Sequence, residues 1–154
     1  MFQISGLPAA RFADLHGLSD AELAERRIER VVAQNKPGAP CRVSLKDAEP
    51  GERLLLLNYE HQPSDTPYRA SHAIFVREGA RDAKLAPCEV PEALRIRPLS
   101  VRAFDEGGAM LDADLTDGTA LEPLIARLFE NDRAAYLHVH YARRGCYAAR
   151  VTRA

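Results

Sequence analysis

The run YLHVHY, residues 136–141, sets two histidines one residue apart. Side chains alternate faces along an extended strand. His138 and His140 then share a face with Tyr136, while Leu137, Val139 and Tyr141 line the opposite face. A rise of about 3.3 Å per residue separates the two imidazoles by about 6.6 Å. Imidazole titrates near neutral pH, so either ring can give or take a proton there. Two such rings can also tilt onto one metal ion, but a catalytic zinc needs a third protein ligand. His61, His72, Cys41 and Cys146 are the candidates for it, and spacing does not choose among them.

The segment LNYEHQPSDTPYRASH, residues 57–72, concentrates a second set of reactive side chains. His61 lies just past an apolar run and is the better acid–base candidate. His72 shares a strand face with Ile74 and Val76 and reads as a hydrogen-bonded packing residue. Arg42 and Arg69 can each fork onto a carboxylate or phosphate, with Tyr59 beside them. Cys41 precedes Arg42, whose charge favours a thiolate. A histidine within reach would make Cys41 a nucleophile, and nothing in the sequence supplies that reach.

These side chains need elements to hold them. The returning strand, 146–152, pairs with 134–142. A three-residue turn, Arg143-Arg144-Gly145, places the glycine at the left-handed position. That register sets Tyr147, Ala149 and Val151 beside Leu137, Val139 and Tyr141. The polar face then carries Tyr136, His138, His140, Cys146 and Arg150, with Arg150 directly opposite His138. A cation at that position disfavours a metal ion, so a metal-free pocket is the first expectation and a His-ligated metal the further alternative.

Upstream, Ser19 and Glu22 form a capping box, and apolar spacing predicts a helix over 19–34. CRVSL, residues 41–45, reads as a short strand. The four consecutive leucines within 53–59 predict a strand covered on both sides. Residues 68–77 read as another strand. Pro91 and Pro98 make 87–99 irregular or edge-like. Residues 99–104 and 109–115 form a hairpin across DEGG. Leu121, Leu124, Ile125, Leu128 and Phe129 predict a helix over 119–131, with Pro123 favouring a slightly later start. Strand runs set apart from helices give an α+β fold: a mainly antiparallel sheet, two packing helices and a C-terminal hairpin.

Bulk composition narrows the function classes. The chain has 154 residues, enough for one domain with its own core. A net charge of −1 argues against a general nucleic-acid binder. The three cysteines are widely spaced and odd in number, which fits reduced thiols and a cytoplasmic setting. No apolar run approaches the roughly 20 residues of a membrane span. No phosphate-loop, dinucleotide or hydrolase-elbow motif is present. Composition therefore leaves the cofactor and the oligomeric state unknown.

PCRVSLKDAEPGE, LLLLNYEHQPSDTPYRASHAIFVRE and HVHYARRGCYAARV together resemble a bacterial family known as domain of unknown function 1203. The resemblance runs from FQISGLP to the C-terminus. It implies a single small bacterial domain and supplies no activity. It also implies no general catalytic role for His72, whose place the family pattern often gives to glycine, as in YRASGPIFV.

The expected function is binding, with turnover left open, of a small anionic or polar ligand. His138, His140 and His61 would do the proton chemistry. Arg42, Arg69, Arg150, Tyr59 and Cys41 would contact the ligand. The opposing expectation is a non-catalytic interaction domain presenting a solvated polar sheet face.

Overall fold

A computed structural model describes residues 1–154. Two antiparallel sheets and a few short helices make an α+β fold. Strands β1 (Phe2–Ser5), β8 (Tyr147–Arg153), β7 (Tyr136–Tyr141), β5 (Pro98–Phe104) and β6 (Met110–Asp117) form the larger sheet in that order. Strands β2 (Glu29–Val32), β3 (Arg53–Gln62) and β4 (Ala70–Arg77) form the smaller one.

The main core lies on one face of the larger sheet. Helix α3 (Leu121–Leu128) presents Leu121, Leu124, Ile125 and Leu128 to Leu99, Val101, Leu137, Val139 and Val151. Each such side chain contributes about 1.5–3 kcal/mol on full burial. The helix starts later than residue 119, after a 3-10 turn over Gly118–Ala120. Pro123 therefore falls within the first turn, where its missing N–H has no ladder bond to lose. Gly118 is required by crowding: a Cβ there would sit 1.9 Å from the Leu94 carbonyl oxygen.

A second core lies under the smaller sheet. Leu55, Leu57, Ile74 and Val76 meet Leu23, Ile28, Phe12 and Val43 there. Leu54 turns the other way into a cluster with Ala33, Ala39 and Ala48. The leucine run is thus covered on both faces at Leu54 and Leu55, as expected of a central strand.

Three expectations are corrected. The helix expected over 19–34 ends early: α1 covers Asp20–Glu25, Arg27 turns left-handed at φ 59°, and Glu29–Val32 pairs with β3. The capping box forms as read. Only its continuation fails, because Val31 and Val32 gain ladder bonds and the Arg30 side chain reaches Glu78, Asp20 and the Leu18 carbonyl. Residues 41–45 form a buried turn, not a strand, closed by the Leu45 N–H on the Cys41 carbonyl. Residues 87–99 include a short helix, α2 (Glu92–Arg95), behind Pro91. The strand begun by Pro98 is interior, flanked by β6 and β7. Proline is tolerated there as the first strand residue.

Candidate metal centre

Strand β7 is buried along both faces. Leu137, Val139 and Tyr141 enter the main core, as alternation requires. His138 is 2% exposed and His140 0%, so the expectation of a solvated polar face does not hold. Strand β3 covers that face from the other sheet. Its His61 ring lies 5.8 Å from His138 and 4.9 Å from His140, centroid to centroid. His138 and His140 are 6.2 Å apart, close to the strand-geometry value.

Two β-bulges aim these groups. In β3 the register slips between Glu60 and Gln62, leaving His61 as the extra residue. In β8, Val139 faces Ala149 while His140 faces Tyr147, leaving Ala148 as the extra residue. A bulge re-aims side chains locally. The second bulge corrects the expected hairpin face. His138 stands opposite Arg150 as the three-residue turn requires, and Gly145 is left-handed at φ 75°. Beyond the bulge, Tyr147 moves to the histidine side and Cys146 to the core side. Tyr147 stacks on His61 at 5.4 Å and 9°, and meets His138 and His140 edge-on.

One nitrogen from each of His61, His138 and His140 lies within 4.8 Å of the others. Nδ1 of His61, Nδ1 of His138 and Nε2 of His140 are buried without a hydrogen-bond partner. Nδ1 of His140 lies 2.9 Å from the Gly145 carbonyl oxygen. A carbonyl only accepts, so Nδ1 carries the proton and Nε2 keeps a free lone pair. Metal-bound histidines are commonly held by such a second-nitrogen bond. Burial is the first cause holding all three imidazoles neutral. It pushes His61 down to about 4, with Arg102 adding to the effect. His138 falls to about 2, with His140 and His61 adding. His140 falls to about 3, with Arg102 adding and the Gly145 bond opposing. Neutral imidazoles are the form that binds metal.

Arg102 on β5 pairs across from His138 and is partly buried. Its guanidinium makes no ion pair, and burial lowers its pKa. Alternation along β5 sets it on the same face as Ser100, and pairing with β7 brings that face to the histidines. Tyr147 and Phe104 were also not singled out from sequence. Phe104 packs against His138 at 5.0 Å. The Tyr136 hydroxyl accepts from Gln62 at 2.8 Å, tying β7 to β3 beside the triad.

The other sequence candidates scatter. Tyr59 lies nearby, 6.2 Å from the Tyr147 ring, and its hydroxyl accepts from Arg11. Arg150 lies over the Tyr136 ring at 3.8 Å, in a cation–π contact. Arg69 is exposed and bound to Glu60. The Cys41 sulfur accepts the Arg77 N–H, a structural contact. Arg42 is buried away from the triad, donating to the Tyr147 and Pro40 carbonyls and to Cys146 Sγ.

Nothing among curated proteins or solved structures matches this chain. No helix is long and apolar enough to cross a membrane. A family described as protein of unknown function (DUF1203) matches residues 38–153, a span that holds all three histidines, Arg102 and Tyr147. The match leaves out the capped helix and the first strand, so it is narrower than the resemblance. By that match, the chain belongs to the DUF1203 family.

Proposed function

We propose that His61, His138 and His140 bind a first-row divalent metal ion, with Zn²⁺ best suited, and that Arg102 favours an anionic fourth ligand. Three neutral imidazoles with one open position are the donor set of catalytic zinc. The single observation that carries this reading is the convergence of three imidazoles, one nitrogen of each within 4.8 Å of the others, in rings that each also hold a buried nitrogen without a hydrogen-bond partner. Metal–nitrogen bonds of about 2.0–2.1 Å require the nitrogens to draw together from their present spacing. Modest rotation of the side chains supplies that closure, and His61, partly exposed, has most freedom to move.

The fourth position would carry water, hydroxide or a small anion. Metal coordination lowers the pKa of bound water and makes hydroxide available near neutral pH. An unpaired Arg102 guanidinium beside the triad stabilises negative charge there. The small anionic ligand expected from the sequence thereby acquires a site built from His61, His138, His140 and Arg102. Arg69 and Cys41 take no part in it. The three free thiols fit a reducing, cytoplasmic setting.

Chelator-stripped protein titrated with Zn²⁺ by calorimetry should take up one ion per chain. Co²⁺ in its place should give visible absorption bands of a four- or five-coordinate nitrogen site. His61→Ala removes the most exposed ligand and should abolish both signals while the far-UV dichroism stays unchanged. No uptake by the stripped wild type, or equal uptake by folded His61→Ala, would sink the reading.

A further inference from the structure

A cavity lies where the β7–β8 turn meets the segment that carries Pro40 and Arg42. It has a volume of about 430 Å³ and is lined by Arg42, Arg97, Arg143 and Arg144 together with Tyr141 and Phe75. That size is within the range of small-molecule pockets. No acidic side chain lines it. We propose that this cavity binds a small organic dianion of the phosphomonoester type, its anionic end held by the arginines and its carbon skeleton resting on Phe75 and Tyr141.

The charge balance is the main support. Arg42 is 2% exposed, yet all its hydrogen bonds go to neutral acceptors: the Tyr147 carbonyl at 2.7 Å, the Pro40 carbonyl at 2.5 Å and Cys146 Sγ at 3.1 Å. It has no carboxylate partner within ion-pair range. Arg97 is paired with Asp47 at 2.6 Å. Arg143 and Arg144 are exposed on the turn and form no ion pair. Four guanidiniums thus share one carboxylate. A buried cation is costly unless compensated. A dianion bound here would supply the missing counter-charge.

The pocket floor is also built. The Tyr141 ring makes cation–π contacts with two guanidiniums, at 4.9 Å from that of Arg42 and 5.2 Å from that of Arg97. Those contacts and the Asp47 pair hold Arg42 and Arg97 in place before any ligand arrives. Arginine forks match phosphate oxygens in pairs, which a spherical ion does not exploit. The exposed, unpaired Arg143 and Arg144 can close over an incoming anion from the turn. Burial pushes the Tyr141 hydroxyl up to about 12, so it stays protonated and adds no negative charge to the site.

This inference does not depend on the metal centre. Tyr141 faces the opposite side of β7 from His138 and His140. The test uses the full chain with chelator present, so that no metal competes for the probe. Phenyl phosphate is titrated while amide NMR shifts are followed, with phenol and inorganic phosphate as comparisons. The expected result is saturable binding tighter than about 1 mM, with shifts at Ile96, Arg97 and Arg143–Cys146. Phenol should not bind, and inorganic phosphate should bind more weakly than phenyl phosphate. The double variant R143A/R144A changes only exposed side chains and should weaken phenyl phosphate about tenfold or more. The proposal is overturned by absence of saturable binding, by shifts centred on His138 and His140, or by unchanged affinity in the double variant.

Discussion

At the residue scale, the two ring nitrogens of His140 differ. Its Nδ1 ties down the Gly145 carbonyl of the hairpin turn, and its Nε2 is buried without a hydrogen-bond partner. Replacing it by alanine leaves a cavity and a carbonyl without its donor. His140→Ala should therefore cost about 2–4 kcal/mol in metal-free protein, read from urea unfolding. The histidines also make stability pH-dependent. Their folded pKa values, about 2 for His138 and about 3 for His140, lie below the ordinary unfolded value of about 6.5. The unfolded chain then binds more protons, so stability is full above pH 6.5 and falls as pH drops. Each of the two should remove up to about 1.4 kcal/mol per pH unit between about pH 6 and 3, with a smaller share from the more exposed His61. Urea midpoints should fall steeply from pH 7 to 5. A flat profile there would contradict neutral, buried rings. His138 and His140 were legible as a pair from their spacing alone. His61 was legible as one of four candidates to complete that pair, and spacing along the chain does not choose among them.

At the element scale, irregularities place the site more than regular strands do. A strict alternation read from YLHVHY puts the two histidines on one face, which the structure bears out. The same alternation misplaces Tyr147 and Cys146, because the extra residue Ala148 reverses which face each of them takes. Sequence periodicity carries no mark of a single inserted residue. The helix expected over 19–34 fails for a non-local reason: its apolar spacing is helical, yet Arg27 turns left-handed and Glu29–Val32 pairs with β3. The junction of α2 with the turn before α3 depends on Gly118, whose N–H donates to the Arg97 carbonyl. An added Cβ meets backbone, which cannot swing aside as a side chain would. Gly118→Ala should destabilise by about 2–4 kcal/mol, measured by denaturant unfolding, without altering metal uptake per folded chain. A loss under about 0.5 kcal/mol would mean that this junction yields easily.

For the whole molecule, the triad spans two sheets. His61 belongs to the smaller and His138 with His140 to the larger. A metal bound by all three would tie the sheets together beside the Gln62–Tyr136 hydrogen bond. A ligand that binds only the folded state adds about 2.7 kcal/mol at 100 times its Kd. In a chain of this length that should raise Tm by about 5–10 °C, and chelator should reverse it. His61→Ala should show no rise. Scanning calorimetry of wild type and variant, with and without Zn²⁺, checks this directly. A shift of equal size in the variant would place the bound ion elsewhere.

The sequence by itself determined the α+β class, the leucine-rich strand, the apolar stripe of α3, the C-terminal hairpin and the shared face of His138 and His140. All of these follow from local periodicity and turn chemistry, which act over a few residues. Tertiary structure alone decided that His61 completes the triad, that Arg102 and Tyr147 stand beside it, and that Arg42 belongs to a different cavity. These relations join residues dozens of positions apart. They depend on which strands pair and on where a bulge shifts the register, and spacing along the chain encodes neither.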